Sequence, residues 1–186
     1  MNDVESARAF SVRNERPDDA DAVRRVVTDA FDRPDEAAIV DALRGSEVVT
    51  LALVAELDGQ LVGHIAFSPV SIATEQGQVL VEEGQGVVGL APVSVVPLHQ
   101  GRGIGGRLIE EGLSRLRAQG HGAVVLLGHP SYYPRFGFRP AAQRGLRWEI
   151  PCPPEAFMVQ ELRAGALPEG GGVVRYRAEL GGGEHD

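Results

Sequence analysis

The chain has 186 residues, 43% hydrophobic and 24% charged, with a net charge of −8: enough for one domain with a real core, and ordinary for a globular chain. The acidic balance argues against non-specific nucleic-acid binding. No apolar run reaches the ~18 residues that span a bilayer, so neither nucleic acid nor membrane is expected as a partner.

The opening "MNDVESARAF" carries acids where a secretory signal needs an apolar stretch. Residues 1–9 read as a leader, 10–180 as a single domain, and 181–186, with the glycine-rich end of the chain, as a disordered tail. Phe10 to Asn14 is a strand candidate. "RPDDADAVRRVVTDAF" then starts a helix with Pro17 and acids in its first turn, and places Ala22, Val23, Val26, Val27 and Ala30 on one face. A second short helix is predicted over Asp35 to Leu43. Val48 to Leu57 and Gln60 to Val70 form a hairpin around Asp58-Gly59, a pair that accepts the positive φ angles of a type I′ turn.

Residues 74–86 read as a loop that can hold one more short strand. Val87 to Val96 is an apolar strand interrupted by Pro92, which cannot donate to a ladder and so implies a bulge. A helix from about Gly105 to Gln119 buries Ile104, Leu108, Ile109, Gly112 and Leu116, with Gly120 as its stop. Ala123 to Leu127 is a buried-type strand, followed by strand candidates at Leu146 to Ile150, Phe157 to Glu161 and Val173 to Tyr176. This order predicts an α/β or α+β domain around a mixed sheet rather than an alternating doubly wound one.

Cys152 is the only cysteine, which excludes a disulfide framework and a cysteine-based zinc site and fits a cytoplasmic protein; no metal is expected. All 18 cationic side chains are arginine, which excludes a lysine nucleophile or a P-loop lysine. Charge is uneven. Gly101 to Arg147 holds eight arginines against Glu110 and Glu111, whereas residues 11–58 hold twelve acids against six arginines. A basic half suits a polyphosphate and an acidic half a cation; two solvated surfaces would give the same pattern.

The stretch "VVPLHQGRGIGGRLIEEGL", residues 95–113, decides between ligands. Gly101, Gly103 and Gly106 spell G-x-G-x-x-G, a dinucleotide fingerprint. That reading fails on context, because no Asp or Glu stands between Gly112 and Trp148 to bind a ribose. Gln100, Gly103 and Gly105 spell Q-x-x-G-x-G. In this second reading the amides of Gly101 to Gly106 surround a pyrophosphate at a helix N-terminus, and Arg102 and Arg107 add charge.

"LAPVSVVPLHQGRGIGGRLIEEGL" resembles the acetyl-CoA-binding core of the GNAT N-acetyltransferase superfamily, and "YYPRFGFRP" resembles its next block, in which a tyrosine stands four residues before Gly-Phe. "GHPSYYPRFGF" and "PPEAFMVQELRAGAL" are similar to the YhbS-like branch of bacterial acetyltransferases. The resemblance implies a mixed, mostly antiparallel central sheet flanked by helices and splayed at the acetyl-CoA site. It implies acetyl-CoA as co-substrate, bound by Val93, Ser94, Val95, Gln100, Gly101, Arg102, Gly103, Ile104, Gly105 and Gly106, with Tyr133 as general acid. It implies an amine acceptor, small molecule or peptide; the acidic excess of residues 11–58 favours a cationic one. Homodimers occur in the family. The alternatives are a longer-chain acyl-CoA acyltransferase and a CoA-binding or partner-binding module without turnover.

No carboxylate stands on the central strand to serve as base. Glu82 and Glu83 precede it, and His64 and His129 are substitutes: His64 is expected as a half-exposed strand residue and His129 as a loop residue at a strand's C-terminal end. Tyr132 and Phe136 read as packing groups, and Cys152, without a basic neighbour in sequence, as a poor acetyl carrier.

Overall fold

The computed structural model describes residues 10–32, 35–45, 49–82 and 86–177. The expected leader, the tail, Glu83 and the expected strand start at Val48 lie outside them. Strand β1 (Ser11–Asn14) leads through a 3-10 turn at Pro17–Asp19 into α1 (Ala20–Phe31), followed by α2 (Asp35–Gly45). Helix α1 buries Val23, Val26 and Val27, the centre of its apolar stripe. Strands β2 (Leu51–Leu57) and β3 (Gln60–Pro69) form the hairpin, with Asp58 and Gly59 at φ 50° and 76° as a type I′ turn requires.

Next come β4 (Ser71–Ala73), β5 (Val79–Val81), β6 (Val87–Val95), α3 (Ile104–Ala118), β7 (Ala123–Leu127), a 3-10 turn at Tyr133–Phe136, β8 (Arg139–Pro140), β9 (Leu146–Trp148), β10 (Phe157–Glu161) and β11 (Gly172–Arg175). The seven-stranded sheet runs β1-β2-β3-β6-β7-β10-β8, and β6–β7 is its one parallel pair. It is the mixed, mostly antiparallel sheet flanked by helices that the resemblance implies. A second sheet, β5-β4-β11-β9, takes up two of the late strand candidates, which sequence alone did not separate from the central sheet.

The two sheet faces have different cover. Helix α3 packs its buried Ile104, Leu108, Ile109 and Leu116 against Leu53, Ile65, Phe67 and Leu90. Gly112 is needed there, because a Cβ would stand 2.6 Å from the Phe67 ring. The opposite face is covered by α1 and α2 over Val54, and by the second sheet over Val87, Val125 and Phe157.

Candidate active site

Among the described residues, strands β6 and β7 pair through Val87–Ala123, Val88–Val124 and Gly89–Val125. Beyond that, β6 continues along β3 while β7 stays with β10, and the sheet opens. Between Ile65–Val93 and Phe67–Leu90, β6 spends three steps against two on β3. This is the bulge expected at Pro92. It resets the alternation of β6. The Val96 N–H donates to Val62 O, so Ser94, two residues back, turns its backbone to β3, and Val93 and Val95 turn theirs into the opening. A splayed parallel pair therefore exposes the backbone of one strand, at two of the residues that the resemblance assigns to acetyl-CoA binding.

Above the opening lies a groove of about 650 Å³, lined by Val93, Val95, His99, Gln100, Gly101, Gly103 to Arg107, Glu110, Tyr132, Arg135 and Phe136. Gly101 and Gly103 have φ of 74° and 80°, which a residue with a Cβ adopts only under strain. Gly103 is the N-cap of α3 and supplies no side-chain cap. The first N–H groups of this 15-residue helix thus face the groove with the positive end of the dipole behind them. Gly105 and Gly106 sit against the Tyr132 hydroxyl and the Phe136 ring; a Cβ at either would stand 3.5–3.6 Å from them.

Several expected residues take other places. Gln100 spends its side chain on the loop itself, donating from Nε2 to Val95 O at 2.9 Å. Ser94 is 2% exposed, with its side chain on the sheet face opposite Val93 and Val95 and its Oγ without a partner among the described residues. Arg102 is exposed and does not line the groove, whereas Arg107 and Arg135 do. Arg135 is fixed by donation from Nε to Tyr132 O and by stacking 4.7 Å above the Tyr132 ring. Its sequence signal was its position inside Y-Y-P-R-F-G-F.

The two tyrosines part as successive residues must. Tyr132 and Phe136, expected as packing groups, form the groove wall near the glycine loop. Tyr133 is 8% exposed, packed edge-on to Tyr132 and Phe138 and against Gly128, where a Cβ would collide with its ring. Burial, with a smaller contribution from Tyr132, pushes its phenol up to about 12.

His64 corrects its expectation. It is fully buried, on the face opposite the groove, because its strand position points into the space between the sheet and α2. Its Nε2 lies 2.9 Å from Glu15 Oε2, and Glu15 also accepts from Arg44, at 3.0 Å from its Nε. Burial raises the Glu15 carboxyl's pKa, but the hydrogen bonds and charges of His64 and Arg44 outweigh it and hold the group below 4.5. Glu15 carried no sequence signal. His129 is exposed after β7 and lends its carbonyl to the amides of Tyr132 and Tyr133. Cys152 is half-buried with its thiol pKa raised by burial, the wrong direction for a nucleophile. Among the described residues, no three His, Cys, Asp or Glu side chains gather as a metal site, and no helix is long and apolar enough to cross a membrane.

Comparison with known proteins agrees with this geometry. The acetyltransferase (GNAT) domain family matches residues 11–141. The uncharacterized N-acetyltransferase YhbS of Escherichia coli K12 is 39% identical over 166 residues, 89% of this chain and 95% of its own length. YjhQ of the same organism, also an uncharacterized N-acetyltransferase, is 40% identical over 152 residues, 78% of this chain and 81% of its own. The crystal structure of E. coli YhbS in complex with CoA superposes with a TM-score of 0.85 at 37% identity, over 97% of this chain and 96% of that one. A GNAT acetyltransferase from Brucella melitensis in complex with acetyl-CoA gives 0.75 at 42%, over 93% and 99%. A splayed sheet, a glycine loop at the start of α3 and matches of this extent have one reading: the chain belongs to the GNAT acetyltransferase family, in its YhbS-like branch.

Proposed function

We propose that this enzyme transfers an acetyl group from acetyl-CoA directly to a primary amine while both are bound. The observation that carries the reading is the combination of the opened β6–β7 pair with the uncapped start of α3 above it. The pyrophosphate lies on the amides of Gly101 to Gly106, with Arg107 and Arg135 beside it. Pantetheine descends into the opening, where it replaces the missing strand partner of Val93 and Val95. Its amides pair with their backbone, which is β-augmentation by a ligand. The YhbS and Brucella structures with CoA and acetyl-CoA support this assignment.

The amine attacks the thioester as the free base, having lost its proton to water, and the tetrahedral oxygen accepts a hydrogen bond from a backbone N–H of the Val93–Val95 segment. The attacking nitrogen gives its remaining excess proton to water, and collapse breaks the C–S bond. Tyr133 donates a hydrogen bond to the departing sulfur. A phenol near 12 is protonated throughout the physiological range, yet a thiolate of pKa about 8.5 cannot take its proton outright. Tyr133 therefore stabilises the thiolate by sharing its proton, and solvent completes the protonation. Tyr132, beside Gly105, belongs to the pyrophosphate end.

The acceptor is a cationic amine, small or peptidic, favoured by the acidic excess of residues 11–58. A thiol-release assay with acetyl-CoA against a panel of polyamines, amino acids, aminoglycosides and peptides tests the reading. Release with at least one amine is expected. Tight CoA binding with no release from any acceptor would identify a CoA-binding module, and release only from longer acyl-CoA an acyltransferase of different donor class.

A further inference from the structure

The opening between β6 and β7 has a closed end as well as an open one. Its last joined pair is Gly89–Val125. On β7, the Gly128 N–H donates to Ala156 O of the segment before β10, so by alternation the Val125 carbonyl points away from β10, toward β6. At this last pair it also accepts from the Tyr176 hydroxyl, at 3.1 Å. The Tyr176 ring lies against Gly89, where a Cβ would stand 2.3 Å from it. Glycine inside an otherwise apolar strand is explained by that approach. Trp148 backs the ring edge-on at 5.7 Å. Tyr176 packs with Val87 and Val125, on the face opposite α3.

We propose that Tyr176 is the end wall of the donor's acyl pocket and restricts this enzyme to short acyl groups. The inference rests on the reading that acyl-CoA threads the opening. The glycine loop stands at the wide end, beyond Val95, and the strands converge toward Gly89, so the thioester arrives at the narrow end. An acyl chain that extends along the opening toward Gly89 must then meet the Tyr176 ring. The ring cannot withdraw: its hydroxyl is tied to β7, its Cε1 side rests on Gly89 of β6 and an indole stands behind it. Tyr176 touches no reacting atom in this scheme; it sets specificity by occupying space.

The test is titration calorimetry of CoA, acetyl-CoA and hexanoyl-CoA against wild type, Tyr176→Phe, Tyr176→Leu and Tyr176→Ala, with near-UV circular dichroism to confirm folding. Wild type is expected to bind hexanoyl-CoA at least about tenfold more weakly than acetyl-CoA, and Tyr176→Phe to keep that ratio. Tyr176→Ala should abolish or reverse it, since each methylene that finds an apolar pocket contributes roughly fourfold, with CoA itself held within about threefold. Tyr176→Leu gives a smaller shift in the same direction and carries the comparison if the alanine variant does not fold. Equal affinity of wild type for the two acyl-CoAs, or unchanged discrimination in a folded alanine or leucine variant, would overturn the wall while leaving the donor site standing. Failure of wild type to bind CoA at all would overturn the donor site, and the wall with it.

Discussion

On the α3 side of the central sheet, the groove is built almost wholly from two short stretches, Val93–Arg107 and Tyr132–Phe136. On the other side, the buried polar cluster draws Glu15 from the end of β1, Arg44 from α2 and His64 from β3. The first region uses backbone: positive-φ glycines, a helix terminus and a strand without a neighbour. The second uses side chains that meet only after the chain has folded. Backbone chemistry of that kind needs a local pattern and leaves one in the sequence, whereas a cluster of distant side chains leaves none. The groove should therefore fail through loss of ligand and the cluster through loss of stability.

The largest effect that sharpens this contrast is expected at Gly103. Valine there must adopt a φ near 80° and puts a branched Cβ at the groove. CoA affinity should fall by about 10²-fold or more in calorimetry. Normal CoA binding by a folded Gly103→Val would reduce the loop to a turn. Second comes the tyrosine pair. With an acceptor from the amine panel, Tyr133→Phe should lower kcat by ~10²-fold with little change in acetyl-CoA affinity. Tyr132→Phe should be mild in kcat and act, if at all, on CoA binding. The opposite order would assign the sulfur to Tyr132.

Across the sheet, Glu15→Gln should cost about 2 kcal/mol in urea unfolding, since it leaves the buried His64 without its carboxylate partner and Arg44 with Asp41 alone. CoA binding should stay within twofold; a tenfold loss would join the cluster to the donor site. The same cluster gives a pH dependence. Glu15 is held below 4.5, and Asp19, first by its hydrogen bond from Arg13, below 3.8. The folded protein thus binds fewer protons than the unfolded chain through this range. Stability from both groups is fully present above the unfolded values and is lost as pH falls through the lower folded ones. Thermal midpoints should fall steadily below pH ~4.5, and more shallowly in Glu15→Gln; identical slopes would refute the assignment. The smallest effect is expected from Arg135→Gln, a few-fold loss in CoA affinity, because its charge is exposed to solvent screening.

Much of the fold was legible because its signals are local. Helical spacing of Val23, Val26 and Val27, the Asp58-Gly59 turn, the break at Pro92 and the run from Gln100 to Gly106 each act within a few residues, through sterics or the helix terminus. The sequence by itself determined those elements and the glycine loop, and the resemblance carried by the same residues named the family. Only the tertiary structure decided that β9 and β11 leave the central sheet for a second one. It also turned Ser94 to the far face, drew Gln100 onto Val95, replaced Arg102 by Arg135 in the groove and brought Tyr176 to the fork at Gly89. Each of these depends on the register and direction of strands far apart in the chain. A one-residue change in register reverses every face, and no local interaction along the chain fixes that register.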